Sequence, residues 1–145
     1  MSKVVKADIS AADRKLIRRA LQTYLHEMYP IMIESTQVLR TEAIDLMRAP
    51  KSGRLGYSRR RSGLVYRRSA AGEAPAVDTG DLMNSIVTDV VAYNGQRYIT
   101  GEVIATEKYA AALEFGTPKM KARPFMRPAL NKATKHLMKK LKNLF

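Results

Sequence analysis

Val87-Thr88-Asp89-Val90-Val91-Ala92-Tyr93-Asn94-Gly95-Gln96-Arg97-Tyr98-Ile99-Thr100-Gly101-Glu102-Val103-Ile104-Ala105-Thr106 is the stretch on which the fold turns. Its first half is rich in β-branched residues. Asn94-Gly95 then supplies the strongest short-range hairpin signal, because the tight turn needs positive φ at its centre. Beyond the turn the chain alternates, with Ile99, Val103 and Ala105 on one side and Tyr98, Thr100 and Glu102 on the other. Ile86–Tyr93 and Arg97–Thr106 are therefore predicted to pair as antiparallel strands with one half-buried face.

Working outward, Asp78-Thr79-Gly80 precedes the first strand, and Asp78 or Thr79 is placed to cap a short helix through Leu82–Ile86. After the second strand, Tyr109–Phe115 reads as a short helix. Gly116 follows where a helix end favours positive φ, and Pro118 prevents continuation. Pro124 and Pro128 hold Arg123-Pro124-Phe125 extended, and Pro128 opens a last helix. Ala129, Leu130, Ala133, Leu137, Leu141 and Leu144 form its seam.

Upstream, Ser10 caps and Asp13 suits the first turn of a helix. Leu16, Ile17, Ala20, Leu21, Tyr24, Leu25 and Met28 recur at helical spacing. Pro30 lacks a backbone donor and disfavours helical geometry at Tyr29, so a break is expected there. A second stripe of Met32, Thr36, Leu39, Ala43, Leu46 and Met47 runs to Ala49-Pro50. Between 50 and 76 periodicity disappears among Gly, Ser and Arg, which reads as a long basic loop. The reading is a single α+β domain over 1–145. A helical segment at 9–49, broken near Pro30, and a C-terminal helix pack on a small antiparallel β-sheet; the basic loop at 50–76 joins the first to the 77–145 part.

Charge is concentrated. The chain carries +13, yet the segment from Lys51 to Ser69 holds seven Lys/Arg and no acid, and Thr117 to Phe145 holds nine and no acid. Ten basic residues remain elsewhere against 13 acids, so two basic segments hang on a near-neutral body. Such segments favour a polyanion, most simply the phosphates of a nucleic acid. Arg54, Arg59, Arg60, Arg61, Arg67 and Arg68 in the loop, with Lys135, Lys139, Lys140 and Lys142 in the last helix, are the candidate contacts. Tyr57 and Tyr66 flank the Arg59–Arg61 run, as aromatics that pack or stack do. There is no Cys, so disulfides and thiolate metal sites are excluded. No apolar run spans a bilayer, and the N-terminus lacks the apolar core of a signal peptide.

No catalytic constellation is legible. His26 and His136 are the only histidines and sit far apart in sequence, and His26, with Glu27 beside it, has no potential ligand at a spacing that shares its face. Asp78-Thr79-Gly80 matches the tripeptide of aspartic proteases, but Asp81 follows it, and a repulsive carboxylate there conflicts with a shared proton. The tripeptide reads as a turn or cap. No enzyme activity, metal or cofactor is expected. Glu114 either caps backbone donors or pairs with an Arg such as Arg123 or Arg127, within the chain or across subunits.

Three blocks, in this order and spacing, carry a resemblance. They are Ala74-Pro75-Ala76-Val77-Asp78-Thr79-Gly80-Asp81-Leu82-Met83-Asn84-Ser85-Ile86, then Tyr109-Ala110-Ala111-Ala112-Leu113-Glu114-Phe115-Gly116-Thr117, then Ala122-Arg123-Pro124-Phe125-Met126-Arg127-Pro128-Ala129-Leu130. Together with the hairpin between them they resemble the tail-component family of tailed bacteriophages, the neck or head–tail joining proteins. The resemblance implies a non-enzymatic virion protein, made in the host bacterial cytoplasm, that assembles as a homo-oligomeric ring. Its implied partners are other neck, connector or tail-terminator proteins and the double-stranded DNA passing through the channel, with no membrane. Asp78, Thr79, Gly80, Tyr109, Glu114, Phe115, Gly116, Arg123, Pro124, Phe125 and Pro128 would then be fold and assembly determinants. The basic insert departs from the family's shorter link. The alternative reading, from charge alone, is a free-standing basic nucleic-acid-binding module.

Overall fold

The computed structural model describes residues 11–58, 63, 65–92 and 98–144. Four helices and four strands follow in the order α1 (Ala11–Arg48), β1 (Leu55–Tyr57), β2 (Val65–Arg67), α2 (Asp81–Asn84), β3 (Ile86–Ala92), β4 (Ile99–Ala105), α3 (Ala110–Phe115) and α4 (Met126–Leu144). This is an α+β fold with two separate two-stranded antiparallel sheets, β1–β2 and β3–β4.

The central hairpin forms as its alternation predicts. Ile86 lies opposite Ala105, Thr88 opposite Val103 and Val90 opposite Gly101. Those residues face α1: the Gln37 amide donates to Thr88 Oγ1 at 3.2 Å, and the Arg40 guanidinium donates to the Ile86 carbonyl at 2.9 Å. At Gly101 the strand lies against the helix so closely that a Cβ would come within 2.6 Å of Thr36 Cγ2 and 2.9 Å of Met32 Sδ. Asn94-Gly95 lies outside the described residues.

α4 packs antiparallel along the second half of α1. Small residues allow this: Ala43, Ala129 and Ala133 are buried at the crossing. Ile44, Met47, Leu82, Ile86, Ala110 and Phe125 complete the core, where Phe125 and Ile86 are each 1% exposed. Every element from α1 to α4 except the β1–β2 hairpin contributes to it.

Three expectations are corrected. α1 runs for 38 residues with Pro30 inside it, so the break at Tyr29–Pro30 does not occur. Pro30 removes one backbone donor, but it is exposed, where water can satisfy the freed carbonyl. Before it, Met28 is buried and the Tyr29 hydroxyl donates to the Val90 carbonyl at 3.4 Å; after it, Met32 lies against Gly101 of β4. Tertiary contacts thus hold both flanks helical. The basic loop, second, contains the β1–β2 hairpin, with Leu55 opposite Arg67, Gly56 opposite Tyr66 and Tyr57 opposite Val65. Two strands of three residues are too short to leave a periodic signal. Third, α2 stops at Asn84, and Ile86 already belongs to β3. Its N-cap is Gly80 at φ 89°, with no side-chain cap; the Asp81 amide donates instead to Thr79 Oγ1 at 3.4 Å. The Ser10 cap lies outside the described residues.

Candidate functional site

The three sequence blocks converge around α3. Gly116, at φ 79°, lets the chain leave that helix, and its amide donates to the Ala112 carbonyl at 2.9 Å. A Cβ there would also meet the Ala122 nitrogen at 2.8 Å and the Met120 carbonyl oxygen at 2.9 Å. Thr117 and Met120 close a tight turn, and the Arg123 amide donates back to the Leu113 carbonyl at 2.7 Å. The return delivers Pro124, Phe125 and Pro128 to the start of α4.

Glu114 resolves its alternatives in favour of the backbone. One carboxylate oxygen accepts from the amides of Phe125 and Met126 at 2.8 and 2.9 Å, and the other accepts from the Arg127 amide at 2.9 Å. Helix N-termini leave their first amides without intrahelical partners, and a carboxylate also suits the positive end of the dipole. Pro128, the third residue of α4, has no N–H to satisfy. The Glu114–Pro128 combination therefore accounts for the whole first turn.

Asp78, Thr79, Gly80, Tyr109 and Arg123 line one cavity of about 420 Å³, to whose wall Tyr57 and Tyr66 of the β1–β2 hairpin and Arg68 just after it also contribute. Asp78 Oδ1 and Arg123 Nε are buried there without hydrogen-bond partners. The tripeptide stands on the turn into α2 rather than between two strands. A second groove, of about 450 Å³, is more apolar. It lies between α1, β4 and α4, with Met32, Leu39, Val103 and Leu137 in its wall and Phe115 and Leu130 at its edge. Phe115 is 72% exposed.

The basic candidates divide into groups. Arg54 is exposed, Arg67 Nη1 donates to the Gly53 carbonyl at 3.1 Å, and the Arg68 side chain lies across Gly56. Arg59, Arg60 and Arg61 lie outside the described residues. On α4, Lys135, Lys139 and Lys142 are exposed, whereas Lys140 pairs with Glu34 of α1 at 2.9 Å. His136 reaches the same Glu34 oxygen at 3.1 Å, and Lys132 pairs with Glu42 at 2.6 Å. The hydrogen bond from Lys140 is the main cause that holds the Glu34 carboxyl below its ordinary range. Part of the C-terminal charge thus locks α4 to α1.

Glu73 is a residue the sequence reading passed over. Its carboxylate accepts from the Ser52 hydroxyl at 2.5 Å, the Ser52 amide at 3.2 Å and the Ala70 amide at 2.8 Å, joining both legs of the basic hairpin. The signal was available: Glu73 is the first acid after the acid-free Lys51–Ser69 run. Glu34 and Glu42 were legible too, two turns apart on one helix.

Two further surfaces stand open. The outer face of β3–β4 carries exposed Val87, Tyr98 and Ile104 around Asp89 and Glu102, which lie directly opposite each other in register. On the first third of α1, Leu16, Ile17 and Tyr24 are exposed. Among the described residues no group of three or more His, Cys, Asp or Glu is arranged to hold a metal, and no helix is long and apolar enough to cross a membrane. Comparison with known protein families, curated proteins and solved structures finds no match.

Proposed function

We propose that this chain is a structural virion protein of a tailed bacteriophage, forming a ring in the neck that joins head to tail around the DNA channel. The observation that carries the reading is apolar surface that a single copy leaves uncovered within the resembling blocks themselves. Phe115 and Leu130, 72% and 52% exposed, edge an apolar groove that continues into the core. Large uncovered apolar patches mark contact surfaces. In a ring each copy presents two different patches to its two neighbours, and closure by rotation covers all of them. The exposed α4 lysines and Arg54 supply sequence-independent phosphate contacts, which suit DNA that must slide.

Native mass spectrometry and electron microscopy of the purified protein, with immunodetection in virions, test the reading. A closed ring present in virions is the expected result. A strictly monomeric protein absent from virions overturns it. Salt-sensitive DNA binding by that monomer would establish the basic-module reading instead.

A further inference from the structure

The β3–β4 hairpin has two edges, and α1 attends to only one. The Thr106 amide donates to the Ser85 carbonyl at 3.2 Å, which sets the alternation of the ladder. With Ile86 opposite Ala105, the backbone groups of Ile86, Thr88 and Val90 point away from β4. Those of Ile99, Gly101, Val103 and Ala105 point away from β3. On the β3 side, Arg40 and Tyr29 of α1 donate to the Ile86 and Val90 carbonyls. On the β4 side, among the described residues, no hydrogen bond reaches the outward amides and carbonyls. A strand of seven residues with an open edge, no proline and one charge is a template for another strand. Gly101 and Val103 also wall the apolar groove between α1, β4 and α4. Alternate side chains of an added strand would therefore turn to the groove side.

β1 has the matching edge. The Arg68 amide donates to the Arg54 carbonyl at 2.9 Å, so the outward backbone groups of β1 are those of Leu55 and Tyr57. Both side chains are exposed on one face of the strand, and neither belongs to the core. At the base of this hairpin Arg54 stands opposite Arg68, as Asp89 stands opposite Glu102 on β3–β4. All four are exposed. Each is a like-charge pair that weakens its own hairpin, and the two pairs have opposite sign. Neither β3 nor β4 carries a Lys or Arg to relieve its acids.

We propose that β1 of one copy adds antiparallel to the open edge of β4 in a second copy, with Leu55 opposite Gly101 and Tyr57 opposite Ile99. That register joins outward backbone groups to outward backbone groups. It turns Leu55 and Tyr57 to the groove side of the sheet, and it sets Arg54 directly against Glu102 on the other side. Arg68, Arg54, Glu102 and Asp89 then form one row across a four-stranded sheet. The two edges differ, so the contact is heterologous and propagates around a ring. The proposal rests on the ring reading and names its interface.

The chain has no Cys, so introduced cysteines report proximity without background. Arg54 and Glu102 would be a directly opposed pair at a separation that a disulfide spans. Arg54→Cys chains mixed with Glu102→Cys chains under oxidation are expected to give the mixed disulfide as the main cross-linked product. Glu102→Arg gives Asp89 a cation opposite it, so the monomer should melt no lower than wild type, while self-association weakens at least about tenfold. Adding Arg54→Glu to the same chain should restore association. A Glu102→Arg chain that associates as tightly as wild type overturns the interface. So does a double variant no tighter than Glu102→Arg alone, or a wild-type ring whose cysteine variants give no mixed disulfide. In each case the wild-type ring survives, and with it the neck reading. A wild type that stays monomeric and yields no mixed disulfide removes both.

Discussion

Glu114 shows how one side chain can set the path of the backbone. Three amides converge on its carboxylate, and a proline occupies the position where a fourth donor would need a partner. Charge-assisted bonds to amides are among the stronger ones, and loss of the acceptor leaves the donors of Phe125, Met126 and Arg127 unsatisfied. Glu114→Ala should destabilise the protein by about 1–3 kcal/mol, the range for lost caps and unpaired buried donors. Urea denaturation followed by circular dichroism measures this. Glu114→Gln should fall between alanine and wild type, because it keeps one acceptor oxygen. An Arg pair across subunits, the other role considered for Glu114, would instead leave monomer stability unchanged in both variants.

At the scale of elements, the β1–β2 hairpin and α1 make opposite points. The hairpin is held at its base by Glu73, whose carboxyl lies below the ordinary glutamate value of 4.5, first because of the Ser52 hydroxyl and then the Ala70 and Ser52 amides. A carboxyl with a lowered folded pKa contributes stability that is complete above its unfolded pKa and is lost as pH falls through the folded one. The Ser52 and Ala70 amide resonances should therefore shift together on acidification below the ordinary glutamate range, in a two-dimensional NMR titration. Glu73→Gln should abolish that step and leave the hairpin equally loose at every pH. α1, for its part, tolerates Pro30 because its flanks are packed, not because proline suits a helix. Pro30→Ala restores a donor and removes the ring clash, so it should stabilise the protein by about 1–3 kcal/mol. A thermal midpoint that rises confirms that packing was opposing the proline.

For the whole molecule, the two kinds of lysine on α4 should separate by experiment. Lys135, Lys139 and Lys142 are exposed, while Lys140 is joined to Glu34. If the assembled ring lines a DNA channel, replacing the three exposed lysines with alanine should flatten the dependence of DNA affinity on salt. The slope should fall by about one for each phosphate that is no longer neutralised. Lys140→Ala should leave that slope nearly unchanged and loosen the α1–α4 pairing instead, read as faster amide exchange at the end of α4. Filter binding across a salt series distinguishes the two.

The central hairpin, the two outer helices, the glycine exit at Gly116 and the α+β class were legible in the sequence. Each rests on local rules: alternation, 3.6-residue spacing, and backbone angles open to glycine. The continuity of α1 through Pro30 was not legible, because a local penalty was outweighed by packing against Val90 and Gly101, some sixty to seventy residues away. The small basic hairpin was hidden for a related reason: its strands are short, and Glu73 clasps it from outside the run. The charge map carried over only in part, since a lysine's charge is local but its partner is not. Tertiary structure alone decided that Lys132 and Lys140 face Glu42 and Glu34, and that Glu114 caps α4 rather than pairing with an arginine.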